Sequence, residues 1–293
     1  MLTRHFSAVA VAIAALLAGP SAAFAHTFDG ALPLDQAQQT APAATDKQEP
    51  DDDRIPRPAE PDFRIINLPT TERLPIHGGN FDLTHRFAGN LRRGSFGDQA
   101  SQLFGIDEGA VVGFEYRYGV MRHLQAIAYR NAFQRTIQLY GKYDAVHQGG
   151  NWPLSVSALV SVEGTDNFRT DHAPALGATA SRTFGDAAAV YAVPTWVHNS
   201  AASLDTTRDT FYVGIGGRVR FHRTIYVVAE MSPRLAGYAP GSTEFGVGIE
   251  KRAGRHVFQL NFSNSSGTTF GQTARGGQPE TLYMGFNLSR KFF

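Results

Sequence analysis

Apolar and polar residues alternate along this chain from about residue 64 to its end, in segments of about ten residues. In one segment, Phe245, Val247 and Ile249 alternate with Glu244 and Glu250. Because successive side chains of a β-strand point to opposite faces, this period of two predicts strands with one apolar face. Clusters of Gly, Asn, Asp, Ser and Pro between the segments predict turns. The pattern predicts twelve strands, over residues 79–88, 110–118, 124–134, 136–146, 154–162, 175–184, 188–197, 210–221, 225–232, 243–251, 256–264 and 281–292.

The length of these strands distinguishes between two all-β architectures. Soluble sandwiches show the same alternation, but their strands usually have about 5–6 residues. The segments here match the about 9–11 residues that a tilted strand needs to cross a bilayer. Since lipid cannot satisfy the open edge of a sheet, a spanning sheet must close. We therefore predict an all-β fold, a closed antiparallel transmembrane β-barrel of about 12 strands over residues 64–293. Residues 92–104 are the one stretch within it that does not resemble a strand.

The first 25 residues have the pattern of a secretory signal peptide. Arg4 precedes an apolar run over residues 6–18, and Ala23 and Ala25 form an Ala-x-Ala end. The run is shorter than the roughly 20 residues of a membrane-spanning helix, so a retained helical anchor is the weaker alternative. The pattern predicts cleavage before His26 and localisation to the outer membrane of a Gram-negative-type cell.

Residues 26–63 differ in composition from the rest of the chain. They contain nine Asp or Glu residues, three Lys or Arg residues and six prolines. Such a segment cannot bury enough apolar surface to offset the entropy lost on ordering. We predict a disordered, acidic, proline-rich arm, which serves as a spacer or, alternatively, binds a partner.

Charge and cysteine content narrow the possible functions further. The formal net charge is +1, so no global field attracts nucleic acid. The chain has no cysteine, so its stability does not depend on disulfides. The sequence predicts no cofactor and no metal site.

The C-terminus adds an independent indication of a barrel. The chain ends in Phe292 and Phe293, after an alternating segment that contains Gly285 and Leu288. A final strand that ends in Phe resembles the signal read by the bacterial barrel-assembly machinery, which we expect as a partner together with outer-membrane lipid. Arg290 and Lys291 interrupt the apolar alternation, and we expect these charges at the membrane interface, where they cost little.

Two segments near the C-terminus, GRHVFQLNFSN at 254–264 and GFNLSRKF at 285–292, resemble an uncharacterised family of bacterial membrane β-barrel domains. The resemblance extends upstream to about residue 68 and leaves out the acidic arm. It implies a barrel in the outer membrane and no catalytic residue, substrate or cofactor. Shorter matching segments lie at 84–87, 103–107, 115–119, 142–143 and 228–230.

Charged residues at alternate strand positions predict the character of the barrel interior. Charges inside a low-dielectric shell must be paired or hydrated. They either pair across a narrow, filled barrel or line a water-filled pore that selects solutes by charge. Glycines of the segment 214–217 are expected to make room inside the barrel. The predicted lumen-lining residues are Glu115, Arg117, Lys142, Asp144, Arg218, Arg220, Glu230, Glu244, Glu250 and Lys291.

Three histidines and two short polar motifs are candidates for chemical sites. His85, His198 and His256 lie on separate predicted strands without the spacing of metal ligands, which favours histidines that hydrogen-bond a turn over a haem or metal site. The segments 198–200 and 171–172 contain Ser, Asp and His residues but no nucleophile motif. We therefore predict a narrow passive channel or a structural or docking protein that is not an enzyme. The alternatives are a barrel enzyme that hydrolyses lipid or peptide, and a barrel that serves a redox or haem partner.

Overall fold

The computed structural model describes residues 59–201 and 207–293. Thirteen strands carry the fold: β1 Gly79–Phe87, β2 Ala110–Met121, β3 Leu124–Asn131, β4 Ile137–Val146, β5 Ser155–Gly164, β6 Thr170–Phe184, β7 Ala188–Val197, β8 Thr210–His222, β9 Ile225–Ser232, β10 Arg234–Gly237, β11 Glu244–Ala253, β12 His256–Ser263 and β13 Tyr283–Phe292. Short helices are α1 Phe96–Ser101, α2 Thr165–Phe168 and α3 Phe270–Arg275, with 3₁₀ turns at Leu103–Glu108 and Phe133–Arg135.

All strands belong to one antiparallel sheet that closes on itself. Neighbouring strands pair in chain order, and β1 pairs with β13 from Gly79 opposite Phe292 onward. Strands β9 and β10 both pair with β8 and are separated by Pro233, which has no N–H to donate to the ladder. Together they form one of twelve spanning segments. The predicted twelve-stranded closed barrel is confirmed.

The two ends of the barrel differ in the length of their connections. At the end where β1 begins and β13 ends, which we call the terminal end, residues 122–123, 185–187, 223–224 and 254–255 make short turns, and 147–154 makes a longer one. The opposite end, which we call the loop end, carries longer connections at 88–109, 198–209 and 264–282. Helix α1 lies in the first of these, within the stretch predicted not to be a strand.

The predicted alternation is visible in the burial of every long strand. On β2, Phe114 and Tyr116 face outward and are about half exposed, whereas Glu115 and Arg117 face inward and are buried. On β11, Val247 and Ile249 face outward and Glu250 faces inward. The barrel therefore has an apolar outer surface and a polar interior, as a membrane barrel requires. Within the described ranges, no helix is both long and apolar enough to span a membrane.

The predicted arm over residues 26–63 lies only partly within the described part of the chain. Residues 1–58, which include the predicted signal peptide and most of the predicted arm, lie outside the described part of the chain. Residues 59–63 are described, and they lie buried inside the barrel together with the following residues up to Leu74. At these five residues the wall of the barrel supplies contacts that their own composition does not provide, and the boundary of the arm stays a prediction.

Candidate functional site: a filled lumen

Nine of the ten predicted lumen residues lie buried on the inner face of the barrel: Glu115, Arg117, Lys142, Asp144, Arg218, Glu230, Glu244, Glu250 and Lys291. The tenth, Arg220, lies near the terminal end of β8, partly exposed, with its guanidinium 3.9 Å from the Asp186 carboxylate. Inside the barrel, Arg218 Nε donates to Glu250 Oε2 over 2.6 Å. Lys142 Nζ lies 3.1 Å from Asp144 Oδ1. Most of the inner charges are thus paired.

Residues 59–74, which we call the plug segment, occupy this interior. Every one of them is buried. The segment folds back on itself as a hairpin, in which Thr70 N donates to the carbonyl of Phe63 over 2.9 Å and Ile65 N donates to the carbonyl of Leu68 over 2.8 Å. After Leu74 the chain leaves the lumen at the terminal end and enters β1.

Ion pairs hold the first limb of the plug segment. Arg64 Nε lies 2.7 Å from Asp82 Oδ2 on β1, and Arg64 Nη2 donates to Glu115 on β2. Burial alone would lower the pKa of the Arg64 guanidinium, but the carboxylates of Glu115 and Asp82 outweigh it and hold this pKa well above its ordinary value. The guanidinium also lies over the Tyr129 ring, 5.4 Å from its centroid. Arg64 is therefore a charged anchor between two strands of the wall.

A single carboxylate holds the turn of the hairpin. Glu230 on β9 accepts from three consecutive backbone N–H groups, those of Ile66 at 3.0 Å, Asn67 at 2.8 Å and Leu68 at 3.1 Å. Successive N–H groups in a turn form an anion-binding concavity, and here the anion belongs to the wall. The Asn67 side chain adds a donated bond to Glu244 at 2.8 Å.

Ion pairing also holds the second limb. Lys291 Nζ lies 2.9 Å from Glu72 Oε1, so this lysine faces the lumen, as predicted from its strand position, and its charge does not lie at the lipid interface. Thr71 Oγ1 lies 2.5 Å from Ser181 Oγ on β6. The alternation predicted that Lys291 faces inward, but it could not name Glu72 as its partner, because Glu72 lies outside the predicted strands.

Glycines of the wall give the apolar residues of the plug room. A Cβ atom at Gly214 would collide with the side chain of Leu68, and one at Gly216 would collide with Ile65. Both glycines lie on β8, in the segment that was predicted to make room inside the barrel. The wall is thus fitted to the plug segment in shape as well as in charge.

A second segment fills the lumen from the loop end. Residues 264–278, which we call the inward loop, join β12 to β13 and contain α3, whose residues are buried apart from Arg275. Asn131 Nδ2 donates to Thr268 Oγ1 and to Gln272 Oε1, both over 2.8 Å. Gly271 N donates to Glu163 Oε2 over 2.9 Å. Neutral hydroxyl and amide groups supply most of these contacts.

Two tyrosines join the plug segment to the inward loop. Tyr129 Oη lies 2.6 Å from Thr268 Oγ1, and its ring lies under the Arg64 guanidinium. Tyr140 packs edge-on against Phe270 of α3, with ring centroids 5.4 Å apart. Tyr140 Oη also donates to Glu115, the partner of Arg64. Both segments therefore share one set of wall residues.

The three candidate histidines lie outside this interior network. His85 faces outward and stacks on Phe286, with ring centroids 4.8 Å apart. His198 Nδ1 lies 2.8 Å from Asp209 Oδ1 at the loop end, and His256 lies beside Phe258. Among the described residues, no group of three or more His, Cys, Asp or Glu side chains could hold a metal ion.

The two polar motifs lie at the loop end of the barrel. Ser200 is buried, and its hydroxyl lies 2.7 Å from Thr210 Oγ1 and donates to the carbonyl of Arg208. Asp171 accepts from Thr165, and His172 packs edge-on against Phe168. The contacts of Ser200 are those of a loop anchor, and neither motif is arranged as a nucleophile with its base.

The residues of the predicted assembly signal lie on the last strand. Gly285 and Leu288 pair with residues of β1 and β12, and Phe292 pairs with Gly79 at the terminal end. Phe292 faces outward and is 45% exposed, which suits contact with lipid. Phe293 follows the strand and lies 5.8 Å from the Arg255 guanidinium. Their role in assembly stays a prediction.

The sequence did not predict that the plug segment and the inward loop lie inside the barrel. The run Phe63–Leu68 is too short for a spanning strand and follows a proline-rich arm, so it was not assigned to an interior. The run differs from its surroundings only in its apolar residues, which lie between Pro61 and Pro69 and do not alternate with a period of two. The inward loop is rich in Ser, Thr and Gly, a composition that predicts a turn between strands and not a buried segment.

A family model for a membrane-bound β-barrel domain (DUF5777) matches residues 61–292. The chain belongs to this family. The match begins inside the plug segment, so it covers the plug segment from Pro61 onward as well as the strands. The predicted family resemblance is confirmed, and this membership makes the chain a membrane barrel.

Solved porin structures share the fold. The NanC porin is 7% identical, with a TM-score of 0.50, and the match covers 73% of this chain and 99% of that one. The KdgM porin, solved in complex with disordered oligogalacturonate, is 8% identical, with the same TM-score and coverage. At these identities the likeness concerns the fold alone. No curated protein matches the chain in sequence.

Proposed function

We propose that this protein is a narrow passive channel of the outer membrane that its own plug segment closes. The twelve spanning segments are an even number, which places both ends of the barrel domain on the same side of the membrane. Bacterial outer-membrane barrels have short periplasmic turns and longer extracellular loops, and the terminal end has the shorter turns. The plug segment thus enters from the periplasmic side.

The observation that carries this proposal is the polar, charged inner wall behind a plug that only non-covalent contacts hold. A barrel that serves only as a scaffold could fill its interior with apolar side chains at lower electrostatic cost. Here Asp82, Glu115 and Glu230 would all face water if the plug segment left. A wall of this kind supports passage of small hydrophilic solutes.

A disulfide that fixes the plug segment tests this proposal. The native chain has no cysteine, and Thr71 Oγ1 lies 2.5 Å from Ser181 Oγ, so Thr71→Cys with Ser181→Cys introduces one lockable pair. In planar bilayers we expect openings from the reduced double variant and none from its oxidised form. The two single variants serve as controls, which oxidant should not change. A reduced barrel as silent as the oxidised one would contradict the channel and leave a structural or docking role.

We also propose that the barrel-assembly machinery recognises the last strand and that outer-membrane lipid contacts the outward apolar face. Phe292 lies at the terminal end of β13, with half of its surface available outside the barrel. Deleting Phe292 and Phe293 should reduce recovery from outer-membrane fractions and leave degraded periplasmic chain. Normal heat-modifiable migration of the truncated protein would show that the terminal residues are not needed.

A further inference from the structure

The wall of the lumen binds the main chain of the plug segment as well as the side chains of that segment. The hairpin satisfies few of its own backbone groups, because only two backbone–backbone bonds and the bond from the Thr70 hydroxyl to the Asp62 carbonyl join main-chain groups of its limbs. Buried N–H groups need partners, and Glu230 supplies one for three of them at the turn. These contacts do not depend on which side chains the segment carries.

The backbone carbonyls of the segment are also bound, by side chains from several strands. Arg218 Nη2 donates to the carbonyl of Arg64 over 2.7 Å, and Asn287 Nδ2 donates to that of Ile66 over 2.9 Å. Gln259 donates to the carbonyl of Ile65, and Gln125 donates to that of Glu72 over 3.2 Å. Amide and guanidinium donors placed along a chain of carbonyls are the features of a site that recognises a peptide.

Side-chain contacts define which peptides fit. Asp82 and Glu115 receive a cation at Arg64, before the turn, and Lys291 receives an anion at Glu72, after it. Between these charges, the spaces above the wall glycines receive the branched aliphatic side chains of leucine and isoleucine. The site therefore suits a hairpin-forming segment with a basic residue before an apolar turn and an acidic residue after it.

We infer that the lumen is a polypeptide-binding site, that the plug segment is its intramolecular occupant, and that a peptide of the same chemistry from another chain can take its place. The plug segment is joined to the barrel through the short connection 75–78, in which Ile76 is 50% exposed. Exchange therefore requires the plug segment to leave the lumen through the terminal end of the barrel only. The inference does not depend on whether the barrel conducts ions.

The experiment cuts the plug segment from the folded barrel. A recognition sequence for a site-specific protease is inserted between Ile76 and His77 of the full chain, which is refolded and then cut. A fluorescent synthetic peptide of residues 59–76 is added in excess. We expect it to replace the cut segment at one copy per barrel and to be displaced by unlabelled peptide. A peptide with Arg64→Ala should bind roughly 100-fold more weakly, since it leaves the buried Asp82 carboxylate without its cation and Glu115 with Arg117 alone. A peptide with Ile76→Ser, changed at an exposed position, is the matched control and should bind like the native one.

Two outcomes would overturn the inference. The first is a cut segment that stays in place while no labelled peptide enters. The second is a native peptide that binds no better than a scrambled peptide of the same composition. Neither readout measures conductance, so failure here is distinct from failure of the proposed channel.

A second arm covers the case in which the insertion prevents folding. The uncut chain carries Arg64→Ala, which weakens its own plug segment, and Ser181→Cys in the wall. A peptide of native sequence with Thr71→Cys should then form a disulfide with the chain that carries Ser181→Cys. It should form none with a control chain that carries Ser263→Cys, because Ser263 lies near the loop end. Absence of this disulfide under oxidising conditions would count against the inference as directly as absence of exchange.

Discussion

The plug segment and the inward loop fill the same lumen from opposite ends, but the wall holds them by different chemistry. The plug segment is held by ion pairs of Arg64 and Glu72 and by the carboxylate of Glu230. The inward loop is held mainly by amide and hydroxyl groups such as those of Asn131 and Thr268. Buried charge is costly to leave unpaired, whereas neutral groups can exchange one partner for another at lower cost.

Under the proposed function, this difference predicts that the plug segment moves and that the inward loop stays in place. Losing any one charged contact should destabilise the whole plug segment, so it should leave the lumen in a single cooperative step. The inward loop, joined to the sheet at both of its ends, should lose its contacts one at a time. The comparison therefore predicts that substitutions affect hydrogen exchange of the two segments separately.

The largest expected effect comes from Arg64→Leu. This change removes the cation between Asp82 and Glu115 and leaves both carboxylates buried, which should destabilise the docked plug segment by about 3–5 kcal/mol. Hydrogen exchange of the amides at residues 65–68 should rise strongly, while that of α3 rises little. The exposed pair of Arg135 with Asp166 gives the control, and Arg135→Leu should change neither segment. Equal protection in both variants would show that Arg64 is not an anchor.

The next effect comes from the fit between Gly214 and Leu68. A Cβ at Gly214 collides with the Leu68 side chain, so Gly214→Ala should destabilise docking by about 1–3 kcal/mol through overpacking. Adding Leu68→Ala should restore part of the loss, because the smaller side chain vacates the space. Exchange at 65–68 in the two single variants and the double variant measures this coupling. Simple additivity of the two losses would contradict the contact.

A change in the inward loop should give the opposite pattern. Asn131→Leu removes the donor to Thr268 and Gln272 while keeping the side-chain volume similar, and should cost about 1–3 kcal/mol through the loss of two buried hydrogen bonds. Exchange should rise at residues 267–272 and stay unchanged at 65–68. A rise at both places would mean that the two segments open as one unit.

The smallest effect concerns the junction between the segments. Tyr129→Phe removes hydroxyl bonds to Thr84 and Thr268 but keeps the ring under Arg64. The docking of the inward loop should lose about 0.5–1.5 kcal/mol, because only the bond to Thr268 reaches that segment. If the plug segment loses as much protection as the loop, the hydroxyl couples them more tightly than the geometry indicates.

The sequence predicted the strands and the inner charges because both depend on a local pattern. Residues such as Glu250 and Val247 differ in the face on which they lie, and a period of two is sufficient to assign it. The plug segment could not be predicted in this way. Its turn binds Glu230, 164 residues distant in the chain from Ile66, and its Asn67 binds Glu244, which is 177 residues distant. No local window contains both partners of such a contact.

The inward loop was missed for a related reason. Polar, Ser- and Gly-rich connections usually lie in solvent, and the composition of 264–278 does not differ from theirs. Its burial depends on Asn131 and Glu163, which lie on other strands. By contrast, the glycines at 214 and 216 were correctly expected to provide interior space, although the side chains that fill it could not be named.

Residues 59–74 lie inside the barrel, with the Thr71 hydroxyl against that of Ser181. The most direct test is disulfide formation in the outer membrane of intact cells by the full chain with Thr71→Cys and Ser181→Cys, compared with a matched chain with Thr71→Cys and Ser263→Cys. Ser263 is also buried on the inner wall, but at the loop end of β12. We expect nearly complete cross-linking of the first pair and almost none of the second. Equal cross-linking of both pairs, or none of either, would contradict a plug segment docked in the lumen.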